Sequence, residues 1–261
     1  KKVETSKGLL TLHFVDKKKL LVEFPVSLMG REFLLGSKVV ETSDMGNGPA
    51  GTMSYTPRHI KFAVVDSTLY MKEVSRTGQN MIFSSSANQN MQEGLKKNSL
   101  STIVDAFTIA AFNKDSSAVV VDMTSYFVSH TENMNPFSSG KRTMEYGSGR
   151  QAVKFKDDLS YLMGVKAFED NVSIISKLTY LMNLSVGGQL VSVDEPVSIT
   201  VNRTLLLLPE KPQMRPRLAD PRIGIGTVAM ENMGTEVDGS RMEPRMKRWN
   251  LEVSDVDKYK R

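Results

Sequence analysis

The sequence predicts a mainly β, β-rich α+β fold, with antiparallel hairpins in a sandwich-like arrangement and one or two short helices. Three observations lead to this class. Apolar residues recur with period two over long stretches, as half-buried strands require. Glycine, asparagine and aspartate turn signals separate those stretches in pairs. Stretches with a helical apolar stripe are scarce.

The first hairpin joins "LLTLHFV" to "KLLVEFP" around Asp16–Lys19, with Leu10, Leu12 and Phe14 facing Leu20, Val22 and Phe24. A second lies in "RHIKFAVVDSTLYMKEV", where Asp66-Ser67 divides two alternating arms. "STIVDAFTIAAF" and "SSAVVVDM" read as strands on either side of a turn at Asn113–Asp115. The longest hairpin pairs "NVSIISKLTYLMNL" with "PVSITVNRTLLLL" across the glycines of "SVGGQLVSVDE". In its first arm Val172, Ile174, Leu178, Tyr180, Met182 and Leu184 share one parity, and Ser176 breaks the row. In its second arm Val197, Ile199, Val201, Leu205 and Leu207 form the row, while Ser198, Thr200, Asn202 and Thr204 face the other way.

Two places suit a helix. "DDLSYLMGVKAF" offers Asp157 or Asp158 as a cap and Leu159, Leu162, Met163 and Ala167 as a short stripe. A second short turn is expected after Asp122 in "DMTSYFVSH". Three long polar segments, Thr42–Ser54, Ser75–Ser99 and His130–Arg150, read as loops, serving either as binding surfaces or as insertions.

The bulk numbers exclude several function classes. No apolar run reaches the roughly 18–20 residues that span a bilayer. Lysine and arginine total 34 against 29 acids, spread along the chain. The net charge of +5 therefore describes a mixed-charge surface rather than a nucleic-acid footprint. There is no cysteine, which rules out thiol nucleophiles, cysteine-ligated zinc and disulfides. The start at Lys1 without a leader and the polar end "DVDKYKR" both read as cuts from a longer precursor.

No catalytic motif stands out. His13, His59 and His130 are far apart in sequence, and HExxH, which puts two zinc-binding histidines on one helical face, is absent. "GSGR" and "SSSAN" do not supply a serine elbow, and "GNGPAG" carries no phosphate-binding lysine. The acid pairs Asp157-Asp158 and Asp194-Glu195 sit where caps and turns want them. The glycosylation-like tripeptides at Asn171, Asn183 and Asn202 fall inside expected strands.

The segment "LLPEKPQMRPRLADPRIGIG" is different in kind. Pro209, Pro212, Pro216 and Pro221 exclude both a helix and a central strand, and hold the residues before them extended. A stiff strap that needs no sheet partners is expected, with arginines suited to bidentate carboxylate pairing.

With its neighbours this segment resembles known proteins. "TLLLLPEKPQMRPRLADPRIGIGTV", followed by "RWNLEVSDVDKYKR", resembles the region before the catalytic domain of large zinc-dependent metallopeptidases of Bacteroidota. "KGLLTLHFVDKKKLLVEFPVSLMGREFLLGSKV" resembles that family's short N-terminal module. "KDSSAVVVDMTSYF" and "VKAFEDNVSIISKLTY" resemble its central uncharacterised domain. The chain departs from the family pattern near Ala219, where an aromatic residue or histidine is usual, and at Ile225-Gly226, where an aromatic pair is usual.

The resemblance implies a non-catalytic accessory region. Three parts are expected: a small N-terminal β unit over 1–40, a main antiparallel domain over 41–208, and a strap and C-terminal segment over 209–261. Zinc would belong to an absent catalytic domain, so no cofactor is assigned to this chain. That peptidase domain is the expected partner, with a peptide or protein substrate as a further one. Nucleic acid and a membrane span are not expected. Export to the periplasm, cell envelope or medium is implied, with the signal peptide already lost. Arg215, Arg217, Asp220 and Arg222 are the candidate docking residues. Alternatives are a prodomain-like inhibitor in which Asp220 reaches the catalytic zinc, and an independent peptide- or glycan-binding module.

Overall fold

Period-two alternation becomes fourteen strands among the described residues. The computed structural model describes residues 2–44, 48–53, 57–75, 81–82, 89–137, 149–210, 214–232 and 241–248. The strands are β1 (Val3–Lys7), β2 (Thr11–Val15), β3 (Lys19–Pro25), β4 (Glu32–Thr42), β5 (Arg58–Val65), β6 (Thr68–Glu73) and β7 (Met81–Ile82). They continue with β8 (Thr102–Phe112), β9 (Ala118–Asp122), β10 (Gly149–Ala167), β11 (Asn171–Val186), β12 (Gln189–Leu207), β13 (Thr227–Asn232) and β14 (Arg241–Met246). Two short α-helices accompany them, α1 (Gln89–Asn98) and α2 (Thr124–Phe127).

The chain divides into two compact units, Lys1–Glu73 with Ile103–Leu208, and Val74–Thr102 with Pro209–Arg261. The first unit is built on one eleven-stranded sheet in the order β1-β2-β3-β9-β8-β6-β5-β4-β12-β11-β10. β3 pairs with β9 and β4 with β12, so the first forty residues are hydrogen-bonded into the same sheet as the long hairpin. The sheet folds over on itself. Phe24 of β3 meets Phe62 of β5 and Phe33 of β4 across the core, with ring centroids 4.6 and 6.0 Å apart. Such tilted and edge-on ring pairs add about 0.5–1.5 kcal/mol each beyond their buried area. The antiparallel, sandwich-like, mainly β class is the observed one.

The long hairpin forms as its parity predicts. Val172, Ile174, Leu178 and Tyr180 of β11 are buried, as are Val197, Ile199, Val201 and Leu205 of β12. Gly187 and Gly188 take positive φ, 60° and 82°, the primed-turn geometry that matches strand twist.

The free edges of the large sheet meet. Ser6 Oγ of β1 accepts the Ala167 N–H of β10 at 2.9 Å, and the Leu9 N–H donates to the Phe168 carbonyl at 2.6 Å. Gly8 permits this approach, since a Cβ there would lie 2.3 Å from the Phe168 oxygen.

The expected helix over 157–168 is instead the second half of β10, paired with β11 from Tyr161↔Lys177 to Ala167↔Val172. Its apparent stripe comes from interruptions in a period-two pattern. Register shifts fall between Lys156 and Tyr161 and between Leu162 and Gly164. Leu162 is consequently buried while Leu159 and Met163 are about half exposed. A bulge changes which parity faces inward, and so imitates a helical spacing. The expected turn after Asp122 is α2.

The second unit carries a three-stranded sheet, β14-β13-β7, in which β13 runs antiparallel to β14 and parallel to β7. The polar segment read as a loop over Ser75–Ser99 contains α1, whose last turn carries Lys96 and Lys97 where the helix dipole favours cations. The strap also departs from expectation, because it does find a sheet partner. Leu218 bridges Arg245 of β14, Ala219 N–H donates to the Pro244 carbonyl at 2.7 Å, and Met246 N–H to the Arg217 carbonyl at 3.1 Å. Residues 217–219 lie between prolines and keep their N–H groups, so a short ladder is open to them.

Candidate functional site

Two buried polar side chains of the first unit, Ser176 and Arg203, meet at α2. Asp122, the last residue of β9, receives the Thr124 N–H at 3.0 Å and its hydroxyl at 2.6 Å. Thr124 Oγ1 in turn accepts the Leu20 N–H of β3 at 2.8 Å, which ties the start of the turn to the sheet. Partial burial pushes the Asp122 carboxyl up, but the Thr124 donors and Lys19, 3.1 Å away, outweigh it and hold the group below its ordinary value.

The other end of α2 leaves carbonyls that a four-residue helix cannot satisfy internally. Ser176 Oγ donates to the Phe127 carbonyl at 2.7 Å. Arg203 donates from Nη1 to the Tyr126 carbonyl at 3.1 Å and from Nη2 to the Ser129 carbonyl at 2.5 Å. Both side chains are fully buried. Ser176 and Arg203 come from neighbouring strands, since Ser176 pairs with Val201 and Arg203 with Ile174. Burial pushes the Arg203 guanidinium below its ordinary value, while the Tyr180 and Tyr126 rings pull it the other way. Burial likewise pushes the Tyr126 phenol up to about 12, and raises that of Tyr180, so both stay neutral at physiological pH.

Two cavities adjoin this turn and share Asp122, Ser125 and Ser129 as lining. The larger, about 700 Å³, lies between α2 and β10 and is lined by Phe155, Asp157, Ser160, Tyr161 and Lys18 among others. Its β10 wall is the bulge: five residues of β10 advance from Lys156 to Tyr161 against two of β11. Thr179 closes that bulge, donating its N–H to Ser160 Oγ and its hydroxyl to the Leu159 carbonyl, each at 3.0 Å. The smaller cavity, about 500 Å³, is lined by Asp105, Thr108, Tyr126 and Thr131 on the β8 side.

The structure keeps the three histidines apart. His13 Nδ1 lies 3.0 Å from Thr5 Oγ1 and its Nε2 3.5 Å from Glu23. His59 Nε2 lies 2.7 Å from Glu32, and His130 Nδ1 lies 3.1 Å from the Tyr180 hydroxyl. Among the described residues no group of three histidines or acids is placed to hold a metal ion. No described helix is long and apolar enough to cross a membrane.

Of the four candidate docking residues, the fold joins two. Arg222 clasps Asp220 in a bidentate pair, Nε to Oδ1 at 2.9 Å and Nη2 to Oδ2 at 2.6 Å. The clasp sits on a turn closed by the Ile223 N–H and the Asp220 carbonyl, with Pro221 at its second position. Asp220 is held below its ordinary value by the Arg222 side chain and backbone N–H, and Arg222 is raised by the same partner. Arg215 and Arg217 are exposed, and their carbonyls accept hydrogen bonds from Arg248 and Met246.

Pattern reading passed over Ser176 as a break in the β11 row and did not assign Arg203 to either face. The signal was present: Arg203 shares the parity of Val201 and Leu205. A polar break in each of two paired apolar rows marks a buried polar contact.

A family model described as "Domain of unknown function (DUF5117)" matches residues 51–254, and one described as "Domain of unknown function (DUF5118)" matches residues 1–42. No curated protein and no solved structure matches the chain.

Proposed function

The chain belongs to the DUF5117 family, and from that premise we propose that it is the non-catalytic N-terminal accessory region of an exported zinc-dependent peptidase. Its role is to dock the catalytic domain, support its folding and help shape the substrate cleft. The resemblance of the "LPEKP" and "DPRIG" strings to the segment preceding such catalytic domains supports this reading. The observation that carries it is the strap. The Asp220–Arg222 clasp fixes a proline turn that leaves Leu218, Ile223 and Ile225 exposed at 65%, 47% and 45%. Exposed arginines flank them, and an apolar centre with arginine around it is the composition of protein interfaces. The clasp also weighs against the inhibitor reading, because the Asp220 carboxylate would have to leave Arg222 before it could reach a metal.

The first test is the sequence encoded after Arg261: a catalytic domain with HExxH is expected, and its absence sinks the proposal. The second is titration of this chain with that domain expressed separately. Arg217→Ala combined with Leu218→Ala should weaken association at least about tenfold. Unchanged association with the double variant overturns the docking face.

A further inference from the structure

We propose that the groove between α2 and the β10 bulge binds an extended peptide segment through a lysine or arginine side chain. All of its lining belongs to the first unit, and the proposal does not depend on the docking reading. Its chemistry fits a cation carried on an aliphatic stem. Val128 supplies apolar surface for methylenes, the rings of Phe155 and Tyr161 supply faces for a cation, and Asp157 supplies negative charge, while the Asp122 carboxylate is already paired with Lys19 at 3.1 Å. Tyr161 is half exposed, so its ring is open to a ligand. Asp157 is exposed, and one of its oxygens takes the Asp158 N–H at 3.0 Å. The basic residue of the lining is Lys18, and no ion pair to the Asp157 carboxylate is seen among the described residues.

Both walls are held in place before any ligand arrives. Arg203 and Ser176 fix α2 from beneath, and Thr179 fixes the bulge. Such preorganisation lowers the ordering cost of binding. The volume, about 700 Å³, lies within the range of ligand sites. The adjoining cavity of about 500 Å³ adds Asp105 and several hydroxyls, so acidic and polar surface continues beyond the reach of one side chain. That continuation favours a peptide over a free amine.

The test uses the purified chain and three probes: an acetylated, amidated octapeptide alternating lysine and alanine, its glutamate–alanine twin, and pentane-1,5-diamine. Fluorescence anisotropy of the labelled peptides should show saturable binding of the lysine peptide at least about tenfold tighter than its twin, weakened by salt. The diamine should compete poorly. Asp157→Asn and Tyr161→Ala should each weaken binding at least about fivefold, with the urea midpoint of the chain unchanged. Absence of saturation, equal binding of the twin, a diamine as tight as the peptide, or binding indifferent to both substitutions each overturns the proposal.

Discussion

Arg203 and Tyr126 are 77 residues apart in sequence, yet Nη1 of the arginine donates to the tyrosine carbonyl at 3.1 Å in the interior of the sheet. The cation is there to hold backbone: its two described bonds go to carbonyls, not to a carboxylate. That makes the α2 turn a product of β12.

Replacing Arg203 by alanine should therefore destabilise the chain by roughly 2–4 kcal/mol, through lost packing and a stranded Ser129 carbonyl. The Tyr126 carbonyl keeps the Ser129 hydroxyl at 2.7 Å, which limits the loss. Arg203→Lys should recover only part, because a lysine lacks the fork that serves two carbonyls at once. Urea denaturation of the three proteins checks both statements.

Ser176→Ala should cost about 1–2 kcal/mol by stranding the Phe127 carbonyl. Since Ser176 and Arg203 hold the same turn, their effects should not add. A double-mutant cycle should give an interaction of at least about 0.5 kcal/mol, and strict additivity would count against a shared clamp.

How much of this was legible beforehand follows from the range of each interaction. The β2–β3, β5–β6 and β11–β12 hairpins join neighbours in sequence, so alternation and turn residues specify them. The bulge in β10 reads as a helix because Thr179, which closes it, lies on another strand, while its local bond from the Ser160 hydroxyl to the Lys156 carbonyl spans four residues as a helical turn does. The Asp220–Arg222 clasp spans two residues, and the arginine-rich proline strap announced such pairing. Arg203 was visible as a polar residue on an apolar parity, but its partners on α2 came only with the fold.

Gly8→Ala should be among the most damaging single-methyl changes. The added carbon would sit 2.3 Å from a backbone oxygen, with no flexible side chain to give way. A loss of about 1–3 kcal/mol or more is expected from such overpacking, read as a lowered Tm. Gly164→Ala, where nothing lies within 4 Å of the added carbon, is the control.

The clasp makes a pH prediction for the strap. Asp220 is depressed in the folded chain, so its contribution is fully present above the ordinary aspartate pKa and is lost as pH falls through the lowered value. An NMR titration of the Asp220 carboxyl carbon should give a midpoint below 3.8, and Arg222→Gln should return it towards that value. A midpoint that does not move in the variant would show the pair to be without influence.

The meeting of the sheet's edges bears on how the protein is made. Ser6 and Ala167 are 161 residues apart, so β1 leaves the ribosome long before its neighbour across the closure has been synthesised. During that interval β1–β3 form an open three-stranded edge, a template on which another nascent chain could pair. Synthesis paused before residue 167 should leave the N-terminal hairpins sensitive to protease, and release of a chain reaching Leu207 should protect them together. Pairings this distant in sequence also place the first unit among slow folders, since loop-closure entropy comes due before the contacts that reward it.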